Sequence, residues 1–254
     1  MVSSEIDQPP VSVYEPEAPV QGKRLRWFFV CLASILIVIV AVGFAPSFYL
    51  RSIMNTAPIA RPSLPGYLIV HGIALSAWYL LFLTQTFLVA SKRTRIHRSL
   101  GIAGAVLAVF VFSLSMMVVL RAPARDIAAG ASVSEISLKV IGDIAILILF
   151  AFLVTLGIRN RRKPEIHKRL MALASVSIVA PAIARWPGAE ANLPFSVVVP
   201  QLSFCGALVV HDIVTRRRVH PATGWGVAAY LILVGVSVPL AFSEVGHKFI
   251  NALK

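Results

Sequence analysis

Seven apolar runs, each close to the roughly 20 residues that a helix needs to cross a hydrocarbon core, divide this chain almost end to end. They lie at 27–49, 66–90, 99–120, 136–158, 169–186, 195–214 and 223–242. Inside lipid only helices and closed barrels satisfy their own backbone, and runs of this length predict helices. The expected fold class is therefore all-α, a seven-transmembrane-helix bundle forming one domain. Composition agrees: the chain is 57% hydrophobic and 14% charged, against roughly 25% charged residues in soluble domains.

The net charge of +13 does not point to nucleic acid, because the basic residues sit in short clusters between apolar runs rather than along one polar face. Four clusters hold two thirds of them. They are Lys23, Arg24 and Arg26 before the first span, and Lys92, Arg93, Arg95 and Arg98 after the second. Arg159, Arg161, Arg162, Lys163, Lys168 and Arg169 follow the fourth, and Arg216, Arg217 and Arg218 the sixth. Threading seven spans places all four on one side. The positive-inside rule then predicts a cytoplasmic N-terminus and an external C-terminus, with the basic loops meeting anionic lipid headgroups. Residues 1–26 are Pro-rich, begin with acids (Glu5, Asp7, Glu15, Glu17) and lack periodicity, so a disordered tail is expected there. Residues 243–254 are expected to form an external tail.

The chain also repeats itself. With an offset of 70, Ile96-His97-Arg98 falls on Ile166-His167-Lys168 and Leu100 on Leu170, and Val219-His220-Pro221 offers a shorter third copy. Each copy joins an incoming helix, a basic loop and an outgoing helix, the pattern of a repeated two-helix hairpin. Apolar helices joined by basic loops also align by chance, and the sequence leaves both readings open.

Ionisable groups inside spans are costly and mark functional sites by default. An outer layer contains His71, Lys139, Asp143, Arg185 and Gln201. Lys139 and Asp143 have the spacing of an i,i+4 pair. His71, Trp78 and Gln85 recur every seven residues, which places them on one helix face, with Trp78 turned toward protein. This stripe either binds a small ligand or ion, or hydrogen-bonds the bundle together. An inner layer contains His97, His167, His211 and His220. Imidazoles ligate zinc, copper and haem iron, so haem b or a divalent metal are the cofactor candidates. No His-x-x-x-His or Cys-x-x-Cys-His spacing supports either. The alternative for His97 and His167 is contact with lipid phosphate at a helix start, and for His220 a position just ahead of a first-turn proline. Asp212 has the spacing either to orient His211 or to pair with Arg216.

"HGIALSAWYLLFLTQTFLVASKRTRIHRSLG", followed by "IHKRLM" and then Arg185, resembles a group of bacterial multi-pass membrane proteins of unknown function. The matching residues are His71, His97, Arg98, Gly101, His167, Met171 and Arg185. "HDIVTRRRVHPATGWG" is similar to the closing motif of some members. The resemblance spans about residues 65 to 230. It implies a bacterial inner-membrane location and carries no activity with it. A looser similarity is to cytochrome b561-type electron carriers, but the outer layer has only His71 within a span, so at most one haem, on the inner side, is implied. The seven-span zinc-dependent lipid hydrolases related to adiponectin receptors carry a last-span His-x-x-x-His, which residues 223–242 lack. Three readings follow: a protein binding a small ligand or ion through the outer stripe, a haem- or quinone-linked redox protein, and a metal-dependent lipid hydrolase.

Overall fold

A computed structural model describes residues 27–53, 64–192 and 195–253, apart from the side chains of Glu190 and Asn192. The expected disordered tail at 1–26, with its three basic residues, lies outside the described residues. The rest is helical, and seven helical stretches are long and apolar enough to cross a membrane. Their outward faces are apolar: Ile53, Ile102, Phe195 and Trp225 are each more than 70% exposed. Soluble proteins do not carry apolar surface all round, whereas lipid requires it.

Helix α1 (Phe28–Phe44) continues into a wide π-turn, Ala45–Tyr49, where Pro46 withholds an N–H from the helical ladder. Helices α2 (Gly66–Ala90) and α3 (Thr94–Ala128) form a hairpin whose tight turn holds Lys92 at φ 63°. The third span is longer than the expected 99–120 at both ends. Hydropathy reports where lipid begins, whereas the backbone ladder runs on until Gly130 turns it at φ 90°. Helix α4 (Val133–Arg159) starts at a reciprocal cap, in which Ser132 Oγ accepts from Glu135 N and Glu135 Oε2 accepts from Ser132 N. This helix is the hub of the bundle, packing on α3, α5, α8 and α9.

The fifth span is broken. Helix α5 (Pro164–Ser177) starts earlier than expected because Pro164 is pre-set for a first turn. It stops before Pro181, whose ring opposes the carbonyl of Ser177, and a short turn, α6 (Ala180–Ile183), follows. The Val176 and Ser177 carbonyls at the break accept from the Gln201 amide at 3.1 and 3.0 Å, and Tyr230 Oη donates to Gln201 Oε1 at 2.8 Å. Bulk water cannot meet such groups at this depth, and the neighbouring helices do it instead. The α6 turn sits against α1, where a Cβ added at Gly43 would lie 2.3 Å from the Ala182 carbonyl oxygen.

Helices α7 (Phe195–Arg216), α8 (Pro221–Ala241) and α9 (Glu244–Ala252) complete the chain. The segment expected as a tail after the last span is thus largely helix α9. Ser243 caps it, and fully buried Ile250 anchors it beside α4. Val245 and Lys248 stay exposed, the division of faces that suits a helix lying along an interface.

Contacts gather the three described basic segments and the start of α1 at one end of the bundle. Trp27 meets Phe87, Phe28 meets His211, His97 meets His167, and Arg216 reaches Glu165. The opposite end holds the Asp126–Lys139 ion pair and Arg185 stacked over Phe44.

Candidate functional site

The heptad face on α2 points inward along its whole length, but its three residues serve three different places. His71 Nδ1 lies 3.4 Å from Ser115 Oγ on α3. Trp78 is buried, meets Phe150 edge-on at 5.0 Å, and donates to Ser175 Oγ at 3.3 Å. Beside it Tyr79 donates to the Ser175 carbonyl at 3.0 Å, so two aromatics of α2 tie themselves to α5. Gln85 sits at the basic end, against Gly101 and His97. Gln201, expected in the outer layer, spends its amide on the break in the fifth span.

At the opposite end Arg185 acts at long range on both His71 and Asp143. The expected i,i+4 pair of Lys139 with Asp143 does not form, because Lys139 Nζ turns to Asp126 Oδ2 at 2.8 Å. Among the described residues Asp143 makes no hydrogen bond and no ion pair, although Lys139 and Arg185 both act on it at longer range. Arg185 is held by its own helix turn, donating to the Pro181 carbonyl while its guanidinium covers the Phe44 ring at 4.6 Å. A cleft of about 260 Å³ lined by Asp126, Glu135, Ile136 and Lys139 lies between the end of α3 and the start of α4. A carboxylate on α4 and a guanidinium in the turn after α6 therefore act on each other without direct contact.

The basic end contains a polar core that the sequence did not reveal. Arg169, counted in the sequence as a loop cation, is buried to 1%. Its Nε donates to Asp212 Oδ1 at 2.7 Å and its Nη2 donates to the same oxygen. Nη1 donates to the carbonyl and to Oε2 of Glu165, at 2.8 and 2.7 Å. Asp212, also 1% exposed, uses Oδ2 to accept from Thr223 Oγ1 at 2.5 Å and from His220 N at 3.0 Å. One carboxylate thus clamps α5, α7 and α8. Buried charges survive only when paired in this way. Asp212 accordingly does not pair with Arg216, which reaches Glu165 instead at 3.5 Å.

The four inner histidines do not converge. His211 stacks on Phe28 at 4.3 Å and meets Phe29 edge-on at 5.3 Å. Its Nδ1 stands 3.8 Å from Asp212 Oδ1 without a hydrogen bond, so Asp212 does not orient it. His220 precedes Pro221 as expected and caps α8, its Nδ1 accepting from Ala222 N at 3.0 Å. Burial, with Arg169 and Arg216 nearby, holds the His220 pKa below the ordinary imidazole value. His97 and His167 do meet: each is the fourth residue of its helix, and their ring centres are 6.2 Å apart. The two residues that the offset of 70 aligns therefore lie close together, their rings edge-on, whereas His220 sits outside its helix. Among the described residues no group of three or more His, Cys, Asp or Glu is placed to hold a metal.

No family model, no curated protein and no solved structure matches the chain.

Proposed function

We propose that this multi-pass membrane protein binds a small ion or polar ligand at His71, Asp143 and Arg185. The observation that carries the reading is Asp143, an ionisable group within a membrane span with no hydrogen-bond or ion-pair partner among the described residues. Intramembrane carboxylates are expensive and are kept where a ligand or ion repays them. A molecule offering a donor to Asp143 and an acceptor to Arg185 would complete both. The orientation that fits this reading has the basic end in the cytoplasm, facing anionic lipid headgroups, and the site in the outer half of a bacterial inner membrane. The asymmetry of the basic clusters supports it.

The test is thermal unfolding of the detergent-purified protein against millimolar sodium, potassium, magnesium, phosphate, acetate and glycine. At least one is expected to raise the Tm of the native chain, with Asp143→Asn and Arg185→Gln abolishing the rise. Asp143→Asn is also expected to unfold at a higher temperature than the native chain without ligand, since it removes an unpaired charge from the span. A panel without effect, or a rise that survives both substitutions, overturns the reading.

A further inference from the structure

We infer that His97 and His167 bind one monovalent copper ion between them at the basic end of the bundle. This inference does not depend on the ligand site at the opposite end.

Three observations carry it. The first is the free nitrogen on each ring. His167 Nδ1 donates to the Gly157 carbonyl at 2.9 Å, which leaves its Nε2 as a lone pair. His97 lies near the Gln85 backbone, and its Nδ1 is buried and has no hydrogen-bond partner. The His167 ring is thus held in the way metal-ligating histidines are held, since an outer hydrogen bond to a main-chain carbonyl fixes the tautomer and the ring direction.

The second is spacing. A ligating imidazole nitrogen lies about 2.0 Å from its metal and the ring centre about 1.2 Å behind it, so two rings meeting one ion head-on have centres about 6.3 Å apart, against about 5.2 Å at a tetrahedral angle. The observed separation is 6.2 Å with the planes at 77°. This matches a nearly linear arrangement, and monovalent copper is the common biological ion that accepts two neutral nitrogens in that way.

The third is charge. Arg98 and Lys168 directly follow the two histidines, and Arg98 acts on His97. The one carboxylate beside them, Glu165, is already engaged by Lys168 and Arg169. A divalent ion would bring two positive charges into this basic setting with no anionic ligand to offset them. It would also lack the three or four protein ligands that zinc takes. A monovalent ion halves that cost, and imidazole suits copper. The Gln85 side-chain oxygen is a further buried acceptor without a partner, on the helix turn near His97. Buried acceptors in this state call for a donor or a cation.

The experiment titrates monovalent copper anaerobically into the detergent-purified protein, in competition with the chromogenic chelator bicinchoninate. One equivalent per chain is expected to bind. His97→Ala and His167→Gln are each expected to weaken binding by about 100-fold or more, and Gln85→Leu by about 10-fold, on the scale of outer ligand losses. His247→Asn is expected to leave it unchanged. His167→Gln retains an N–H for the Gly157 carbonyl, and its Tm and elution volume establish that it is folded. X-ray absorption of the loaded protein is expected to show nitrogen neighbours without sulfur. Absence of copper binding, binding that survives both histidine substitutions, sulfur ligation, or stoichiometric zinc held in preference to copper each overturns the inference.

Discussion

Replacing Asp212 by alanine removes one carboxylate that three elements share. Arg169 loses the partner of its Nε and Nη2, while Thr223 Oγ1 and His220 N lose their acceptor. Breaking one side of a buried pair costs about 3–5 kcal/mol, and each stranded buried donor adds about 1–3 kcal/mol. Two features reduce the total. Glu165 still holds Nη1 of Arg169, and polar groups in a membrane protein find substitute partners when their first one is lost. The expected loss is about 4 kcal/mol. It is measurable as the shift in reversible unfolding by sodium dodecyl sulfate in mixed micelles. Asp212→Asn is expected to recover only part of it, because its amide turns an N–H toward Thr223 or Arg169, which are already donors. In the double variant Arg169→Leu/Asp212→Ala no unpaired guanidinium remains, so its cost is expected to fall below the sum of the two singles by about 2–3 kcal/mol. A single-variant loss under about 1 kcal/mol, or additivity within about 0.5 kcal/mol, would refute the clamp.

Three further outcomes are expected. Gly43→Ala forces a Cβ onto the Ala182 backbone and should cost about 1–3 kcal/mol, whereas Gly206→Ala, with open space around it, should be neutral; equal Tm values would show that α1 and α6 do not approach this closely. Tyr230→Phe leaves Gln201 Oε1 without its donor and should cost about 1–3 kcal/mol by the same micelle assay. The third concerns pH. The folded state resists protonating His220, so its contribution is fully present above the ordinary imidazole pKa of about 6.5 and is lost as pH falls from there to the lower folded value. His220→Asn, which keeps a capping side chain, should therefore lose less stability than the native chain when acidified below about pH 6.5, as read by Tm; an identical loss in both would refute this assignment.

The seven spans were legible because lipid imposes a long apolar run on each of them, and a tight loop with Lys or Arg between runs fixes the alternation. The heptad of His71, Trp78 and Gln85 was legible as a face, since helical geometry is local. What each residue on that face meets was not, because Ser115, Ser175 and Gly101 come from other helices. Pro221 announced the start of α8, but nothing near Pro181 pointed to Gln201 as the group that meets the carbonyls at the break. Arg169 was the most opaque. In sequence it is one more cation in a basic loop. Its burial follows only from Asp212 and Thr223 arriving on α7 and α8, more than 40 residues later. His97 and His167, by contrast, are positions that the offset of 70 had already aligned.

The break in the fifth span also bears on how the chain enters its membrane. This span is the least apolar of the seven and the most enclosed by its neighbours, and its Ser177 carbonyl, which Pro181 deprives of a helical donor, waits for Gln201 from a later helix. A segment of that kind has little reason to partition into lipid as it leaves the insertion machinery alone. It would be carried in beside α4, its hairpin partner, and wait at the channel wall until α7 is synthesised. The assembly order is thereby written into one proline: the outer helices can insert as they emerge, and the fifth settles only when the sixth span has been delivered.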